Sequence, residues 1–175
     1  MNIKNISRIK SFLTIKEKTI LVCAFVLSKL DYCNSLYCGI DSSLISKLQY
    51  TQNCAARLIY QRRKYDHVTD IFIDLHWLPV KKRMLYKILL TVHNCLYNIS
   101  PIELNNLITL ESVRTFILQI PRCNTSYGDR AFSVNSAKVW NTLPLHLKTE
   151  TSVINFKKLL KTYLFNLHYM TTDLY

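Results

Sequence analysis

Apolar residues recur three and four positions apart over most of the chain, which is the spacing of one face of an α-helix. The longest such stretch follows Pro79, and the residues that share its apolar face are Leu85, Ile88, Leu89, Val92 and Leu96. Proline suits the first position of a helix because its missing N–H would have no intrahelical partner there. This stretch predicts a long central helix whose single apolar face needs partner helices.

Cap residues predict further helices on both sides of the central one. Thr14-Ile-Lys-Glu17 has the form of a capping box, in which a hydroxyl residue is followed three positions later by a carboxylate. Asp41 and Ser152 stand before two other apolar stretches, where each can accept a hydrogen bond from the first turn. The first helices are joined by short connections, which favours a small helical bundle over residues 1–65.

The apolar period changes between about residues 114 and 134. Arg114–Ile120 is rich in β-branched and aromatic residues, Tyr127–Val134 is a second candidate strand, and the connection has hairpin length. We therefore predict a mainly α protein with a thumb-like bundle over 1–65, a helical region over 66–165 with a hairpin near 114–134, and a frayed tail over 166–175.

Composition narrows the possible partners. The net charge is +12, from 23 Lys and Arg against 11 Asp and Glu, which favours a polyanion such as nucleic acid. Hydrophobic residues make up 49% of the chain, too many for a disordered protein. The most apolar run, Ile20–Leu27, is too short to span a bilayer. The six cysteines have no CxxC spacing, so we expect reduced thiols, no metal or other cofactor, and an intracellular location.

Three groups of cations are candidates for neutralising phosphates. One group opens the central helix, where cations oppose the helix dipole unless water or an anion screens them. A second forms a compact basic loop between two tyrosines, which suits a nucleic-acid backbone with neighbouring bases but also a solvated linker. A third lies on the first bundle. The predicted nucleic-acid-binding residues are Lys16, Lys18, Arg62, Arg63, Lys64, Lys81, Lys82 and Arg83.

Catalytic chemistry has little support in the residue pattern. The chain has no Gly-rich phosphate loop, no nucleophile elbow and no adjacent acidic pair of the kind that holds two metal ions against phosphate. Asp66, Asp70 and Asp74 are spaced four apart, with His67 and His76 nearby, and form the best available metal constellation. The same spacing is typical of any solvated helical face, so we predict no catalytic site.

Six stretches occur together in an order that resembles a known family. They are Leu30–Gly39, Leu48–Leu58, Leu75–Arg83, Tyr127–Val134, Trp140–Pro144 and Phe156–Phe165. Together they resemble the C-terminal part of reverse transcriptases from non-LTR (LINE) retrotransposons of the jockey and chicken-repeat group. The likeness covers nearly the whole chain.

The resemblance implies that residues 1–65 correspond to the thumb, which grips the primer–template duplex. It implies that residues 66–165 form the post-polymerase region, whose role the resemblance leaves open. It also implies that Met1 lies beyond the palm, so that the catalytic aromatic-Ala-Asp-Asp motif and the endonuclease are absent. The expectation is a catalytically inactive fragment of an RNA-directed DNA polymerase that contacts RNA or an RNA–DNA hybrid and has no small-molecule substrate. Asp70 departs from the family, whose members commonly carry proline there.

Three alternatives stay open at the level of sequence. The chain could be a structural or protein-interaction remnant whose charge is only solvated. It could be a metal-dependent nuclease that uses Asp66, Asp70 and Asp74. It could bind the surface of a membrane through its basic, apolar last helix, although we expect nucleic acid rather than a membrane.

Overall fold

The computed structural model describes residues 3–170 and is mainly α with one small antiparallel hairpin, which confirms the predicted fold class. The chain divides into two compact units, Met1–Arg83 and Met84–Tyr175. The strands are β1 (Leu110–Ser112) and β2 (Ile117–Leu118), and the α-helices are α1 (Ile3–Ile9), α2 (Ile15–Val22), α3 (Ser28–Asp31), α4 (Ser42–Ile59), α5 (Thr69–Asp74), α6 (Val80–Leu96), α7 (Ile102–Asn105), α8 (Phe132–Asn141), α9 (Leu145–Lys148) and α10 (Val153–Tyr169).

In the first unit, helix α2 begins with the predicted capping box. The backbone N–H of Thr14 donates to Oε2 of Glu17 at 2.7 Å, and the backbone N–H of Glu17 donates to Oγ1 of Thr14 at 3.3 Å. Helix α2 then continues into α3 through a π-helical turn at Cys23–Leu27, in which the Ser28 N–H donates to the carbonyl of Cys23. The turn lets one helical path run to Asp31.

Helices α1, α2 and α4 pack against one another in the first unit. The residues that these helices bury against one another include Ile6, Val22, Ala55 and Ile59, each of which is 0% exposed. Burying a large aliphatic side chain stabilises the folded state by about 1.5–3 kcal/mol. These residues therefore form the core on which the candidate interface is built.

The structure divides after Arg83, whereas the sequence placed a boundary near residue 65. Residues after α4 bond back to it through Gln52, which is buried, and Gln49, which is half-buried. The Gln52 amide donates to the carbonyl of Leu78 at 2.9 Å, and the N–H of Val80 donates to Oε1 of Gln49 at 2.9 Å. A glutamine looks like a solvated position in a hydrophobicity pattern, so this attachment had no visible signal.

The second unit contains most of the predicted central helix, α6. The buried side chains in this part of α6 are Met84, Ile88, Leu89, Val92, His93 and Cys95. The predicted core residues Leu85 and Leu96 are only half-buried. His93 stacks on Phe156 with ring centroids 4.1 Å apart, and its Nε2 lies 2.8 Å from the carbonyl oxygen of Glu150. The apolar face is thus rotated slightly from the predicted one and packs on α10.

The hairpin lies earlier in the chain than the sequence predicted. Leu110 pairs with Leu118, and the connecting turn occupies residues 113–116, which overlap the start of the predicted first strand, Arg114–Ile120. The predicted second strand is instead a 3₁₀ turn at Gly128–Arg130 followed by the start of α8. Val134 and Trp140 are both buried on α8, so the end of the predicted second strand belongs to the buried face of a helix.

Two side chains of α8 fasten the hairpin to the second unit. The indole Nε1 of Trp140 donates to the carbonyl of Phe116 at 2.9 Å. Asn141 accepts from the Leu118 N–H and donates to the Leu118 carbonyl, each at 2.9 Å. An isolated two-stranded hairpin is marginal in water, so these contacts explain why such short strands persist.

Helix α10 extends through part of the predicted frayed tail. It starts at the predicted cap, where the Asn155 N–H lies 3.5 Å from Oγ of Ser152, and it continues to Tyr169. Residues 171–175 of the predicted tail lie outside the described residues. Phe156 and Leu160 on the apolar face of α10 are 0% exposed. Within residues 3–170, no helix combines the length and apolar character needed to cross a membrane.

Candidate nucleic-acid interface

The first unit contains a cationic groove of about 200 Å³, which is formed by α1, the last turns of α4 and the loop that follows α4. Among residues 3–170, its lining includes no carboxylate and four cationic side chains, which are Lys10, Arg57, Arg62 and Lys64. A groove whose charged lining side chains are all positive attracts the phosphates of nucleic acid. We call this feature the cationic groove.

Helix α1 supplies one wall of the cationic groove. Ile3, Ser7 and Lys10 lie three and four positions apart, so they share one side of the helical path and all three line the groove. Lys10 stands at the start of the 3₁₀ turn that ends α1. A cation is favourable at a helix C-terminus because the helix dipole is negative there, which gives Lys10 a structural reason to occupy this position.

The end of α4 holds the second wall in a fixed conformation. The Arg62 N–H donates to the carbonyl of Arg57 at 2.9 Å, and Gln61 between them has a positive φ of 53°. This bond and backbone geometry resemble a Schellman helix ending, with glutamine in place of the usual glycine. The Arg57 side chain also donates from Nε to the carbonyl of Asp66 at 2.9 Å. Arg57 is therefore tied to both sides of the loop.

The loop contributes two of the predicted cations to the groove. Arg62 Nη2 lies 3.3 Å from Oδ2 of Asp70, but these side chains are 50% and 61% exposed, so the ion pair is weak. The Lys64 ammonium lies 5.2 Å from the ring centroid of Tyr65, and that ring is 84% exposed. An exposed ring next to a cationic groove can stack on an unpaired base.

Lys18 is a correction to the predicted interface. Its side chain is 2% exposed, and its Nζ donates to the carbonyl of Ile59 at 3.4 Å, at the last residue of α4. The cation stabilises the negative end of that helix. Because the ammonium is buried inside the first unit, it is not available to a phosphate.

Arg83, another predicted interface residue, is ion-paired within the first unit. Its guanidinium forms a two-pronged ion pair with Asp31, with Nε donating to Oδ1 at 2.8 Å and Nη2 donating to Oδ2. The two side chains are only 18% and 28% exposed. The anion beside Arg83 at the start of α6 is thus a carboxylate of the chain itself. Lys81, two residues before Arg83, is exposed. The pKa of Lys82 is lowered mainly by burial and to a lesser extent by repulsion from Lys81.

The remaining predicted cations lie outside the groove. Lys16 and Arg63 are exposed, and neither lines the groove. Lys10 and Arg57 were not predicted; the only signal for them in the sequence was a cation in the last turn of a helical segment. That signal alone does not reveal that the ends of α1 and α4 meet.

The three aspartates of the nuclease alternative have separate partners. Asp66 accepts from the backbone N–H of Arg63 at 2.9 Å, Asp70 pairs with Arg62, and Asp74 accepts from the Tyr60 hydroxyl. In the part of the chain that the structure describes, no three potential metal ligands are grouped to hold an ion. The aspartates therefore organise the basic loop and do not form the metal constellation considered from the sequence.

Comparisons with models of protein families, with curated proteins and with solved structures found no match to this chain. Functional inference therefore rests on the groove and on the residues that form it.

Proposed function

We propose that the first unit binds the sugar–phosphate backbone of nucleic acid in the cationic groove without reading base sequence. The observation that carries this proposal is the convergence of cations from three separate segments: Lys10, Arg57 and the pair Arg62 and Lys64. Such contacts release counterions from the nucleic acid, which makes binding strong at low salt and weak at high salt.

The resemblance in sequence supports the further proposal that the chain is a catalytically inactive C-terminal part of a LINE-type reverse transcriptase. RNA or an RNA–DNA hybrid is then the expected partner. A scaffold with merely solvated charge would not require cations from distant segments to share one groove that lacks carboxylates. The grouping of charge therefore favours nucleic-acid binding over the scaffold alternative.

The test is the binding of a labelled RNA–DNA hybrid, measured by fluorescence anisotropy from about 50 to 200 mM KCl. The double variant Lys10→Gln/Lys64→Gln should reduce the slope of log K against log salt by about 1.8, because each lost phosphate contact changes it by about 0.9. The matched control is Lys158→Gln/Lys161→Gln, which removes the same charge from exposed positions of α10.

The control should change the slope far less than the groove variant. Equal effects of the two double variants would contradict a specific role for the cationic groove. Extension of the primer strand or cleavage of the hybrid in the presence of Mg²⁺ would contradict the proposal that the chain is catalytically inactive.

A further inference from the structure

The first unit also contains an apolar groove of about 570 Å³ between the start of α1, the π-helical turn, α3 and α4. Its apolar lining residues are Ile3, Phe25, Val26, Leu30 and Leu48. Binding sites of several hundred cubic ångströms are commonly lined by apolar side chains with a few polar groups that orient the ligand. We call this feature the apolar groove.

The π-helical turn forms one wall of the apolar groove. The bond from the Ser28 N–H to the Cys23 carbonyl spans five residues, so one extra residue is accommodated in the helical path. Val26 is buried within this turn, whereas the neighbouring ring of Phe25 is 38% exposed and lines the groove. Single π turns within α-helices occur often at functional sites, and here the turn presents an aromatic ring to the opening.

Two lysines give the apolar groove a positive edge. Lys4 and Lys29 both line it and both are exposed, and no carboxylate of the described residues is part of the lining. Within residues 3–170, neither lysine forms an ion pair. An apolar surface with two available cations complements a ligand that combines an apolar face with acidic groups.

The apolar surface continues beyond the groove along α4. Leu44 lies one helical turn before Leu48 and is 47% exposed, which adds about 6 Å to the apolar strip. An elongated apolar strip suits a long partner segment, such as a helix, better than a compact small molecule. We propose that the apolar groove binds an amphipathic helix of a partner protein, with acidic residues flanking its apolar stripe. This proposal is independent of nucleic-acid binding in the cationic groove.

The probe is a fluorescent synthetic helix of about 14 residues, with leucines at helical spacing and glutamates on both sides of the leucine stripe. One control peptide replaces the glutamates with lysines, and a second replaces the leucines with alanines. The acidic leucine peptide should bind at least about tenfold more tightly than either control. Equal binding of the acidic leucine and alanine peptides would overturn the proposal, because attraction by net charge alone would explain it.

Charge reversal on the protein supplies the matched test. Lys4→Glu/Lys29→Glu should weaken binding of the acidic peptide about tenfold or more and should strengthen binding of the lysine peptide. Lys10→Gln/Lys64→Gln in the cationic groove should leave the affinity of the acidic peptide unchanged. Circular dichroism would check that both variants keep their helical content.

Loss of affinity for the acidic peptide without any gain for the lysine peptide would contradict the proposed contacts. Tight binding of dodecanoate or of anionic vesicles, without binding of the acidic peptide, would replace the proposed occupant by a lipid-like ligand. Because the nucleic-acid assay uses other residues and another probe, its failure and the failure of this proposal are distinguishable.

Discussion

Substitution of Asn141 by alanine tests how the hairpin is held in the second unit. The change removes two hydrogen bonds to the backbone of Leu118, each 2.9 Å long. A neutral hydrogen bond contributes about 0.5–1.5 kcal/mol, and a partly buried group left without a partner adds to the loss. We therefore expect Asn141→Ala to lower the free energy of unfolding by about 2–3 kcal/mol, a large part of the roughly 5–10 kcal/mol typical of a unit of this size.

The assay combines urea unfolding, followed by circular dichroism, with hydrogen exchange at the Leu118 amide. Exchange at this amide should accelerate in Asn141→Ala because the N–H loses its acceptor. The neighbouring Thr142→Ala is the control: Thr142 is exposed, and its hydroxyl donates to the Val139 carbonyl of the same helix. Its expected cost is below about 0.5 kcal/mol. Equal unfolding midpoints for the two variants, or unchanged exchange at Leu118, would refute the reasoning.

Three further predictions concern single side chains. Burial lowers the pKa of His93 from its usual value near 6.5. As the pH falls, the unfolded chain therefore binds a proton at His93 before the folded chain does. The stability that this histidine contributes to the second unit should be complete above about pH 6.5 and should fall as the pH drops towards the folded pKa. Urea midpoints at about pH 8 and pH 5.5 measure this loss, and a His93→Phe variant with the same loss would contradict it. Thr14→Ala removes the capping box and should cost about 1 kcal/mol in urea unfolding, whereas no change would argue against the cap. Arg83→Gln leaves Asp31 without its guanidinium and should cost about 1–3 kcal/mol while keeping the salt dependence of hybrid binding, so a flattened slope would restore Arg83 to the interface.

Local signals predicted much of the helical structure. The caps at Thr14, Asp41 and Ser152 work within three residues of the chain, so each could be recognised from its neighbours and each makes the expected hydrogen bond. The hairpin could not be placed in this way. Its position depends on Trp140 and Asn141, which bond to backbone groups 24 and 23 residues away.

The candidate interface was predictable only in part for the same physical reason. Arg62 and Lys64 are adjacent to a turn that exposes them, and the basic run in the sequence identified them. Lys18 and Arg83 have partners 41 and 52 residues away, Ile59 and Asp31, and these contacts turn apparent surface cations into structural ones. Local charge patterns do not contain that information.

The amide of Asn141 also closes one side of the small sheet. The N–H and carbonyl of Leu118 are the groups that β2 would offer to a third strand, and Asn141 occupies both. A strand with free groups along its edge is a template for pairing with another chain, and proteins commonly block such edges. A single side chain thus ends the hydrogen-bonding ladder on the β2 side, so pairing of another molecule's strand with that edge would first require Leu118 to separate from Asn141.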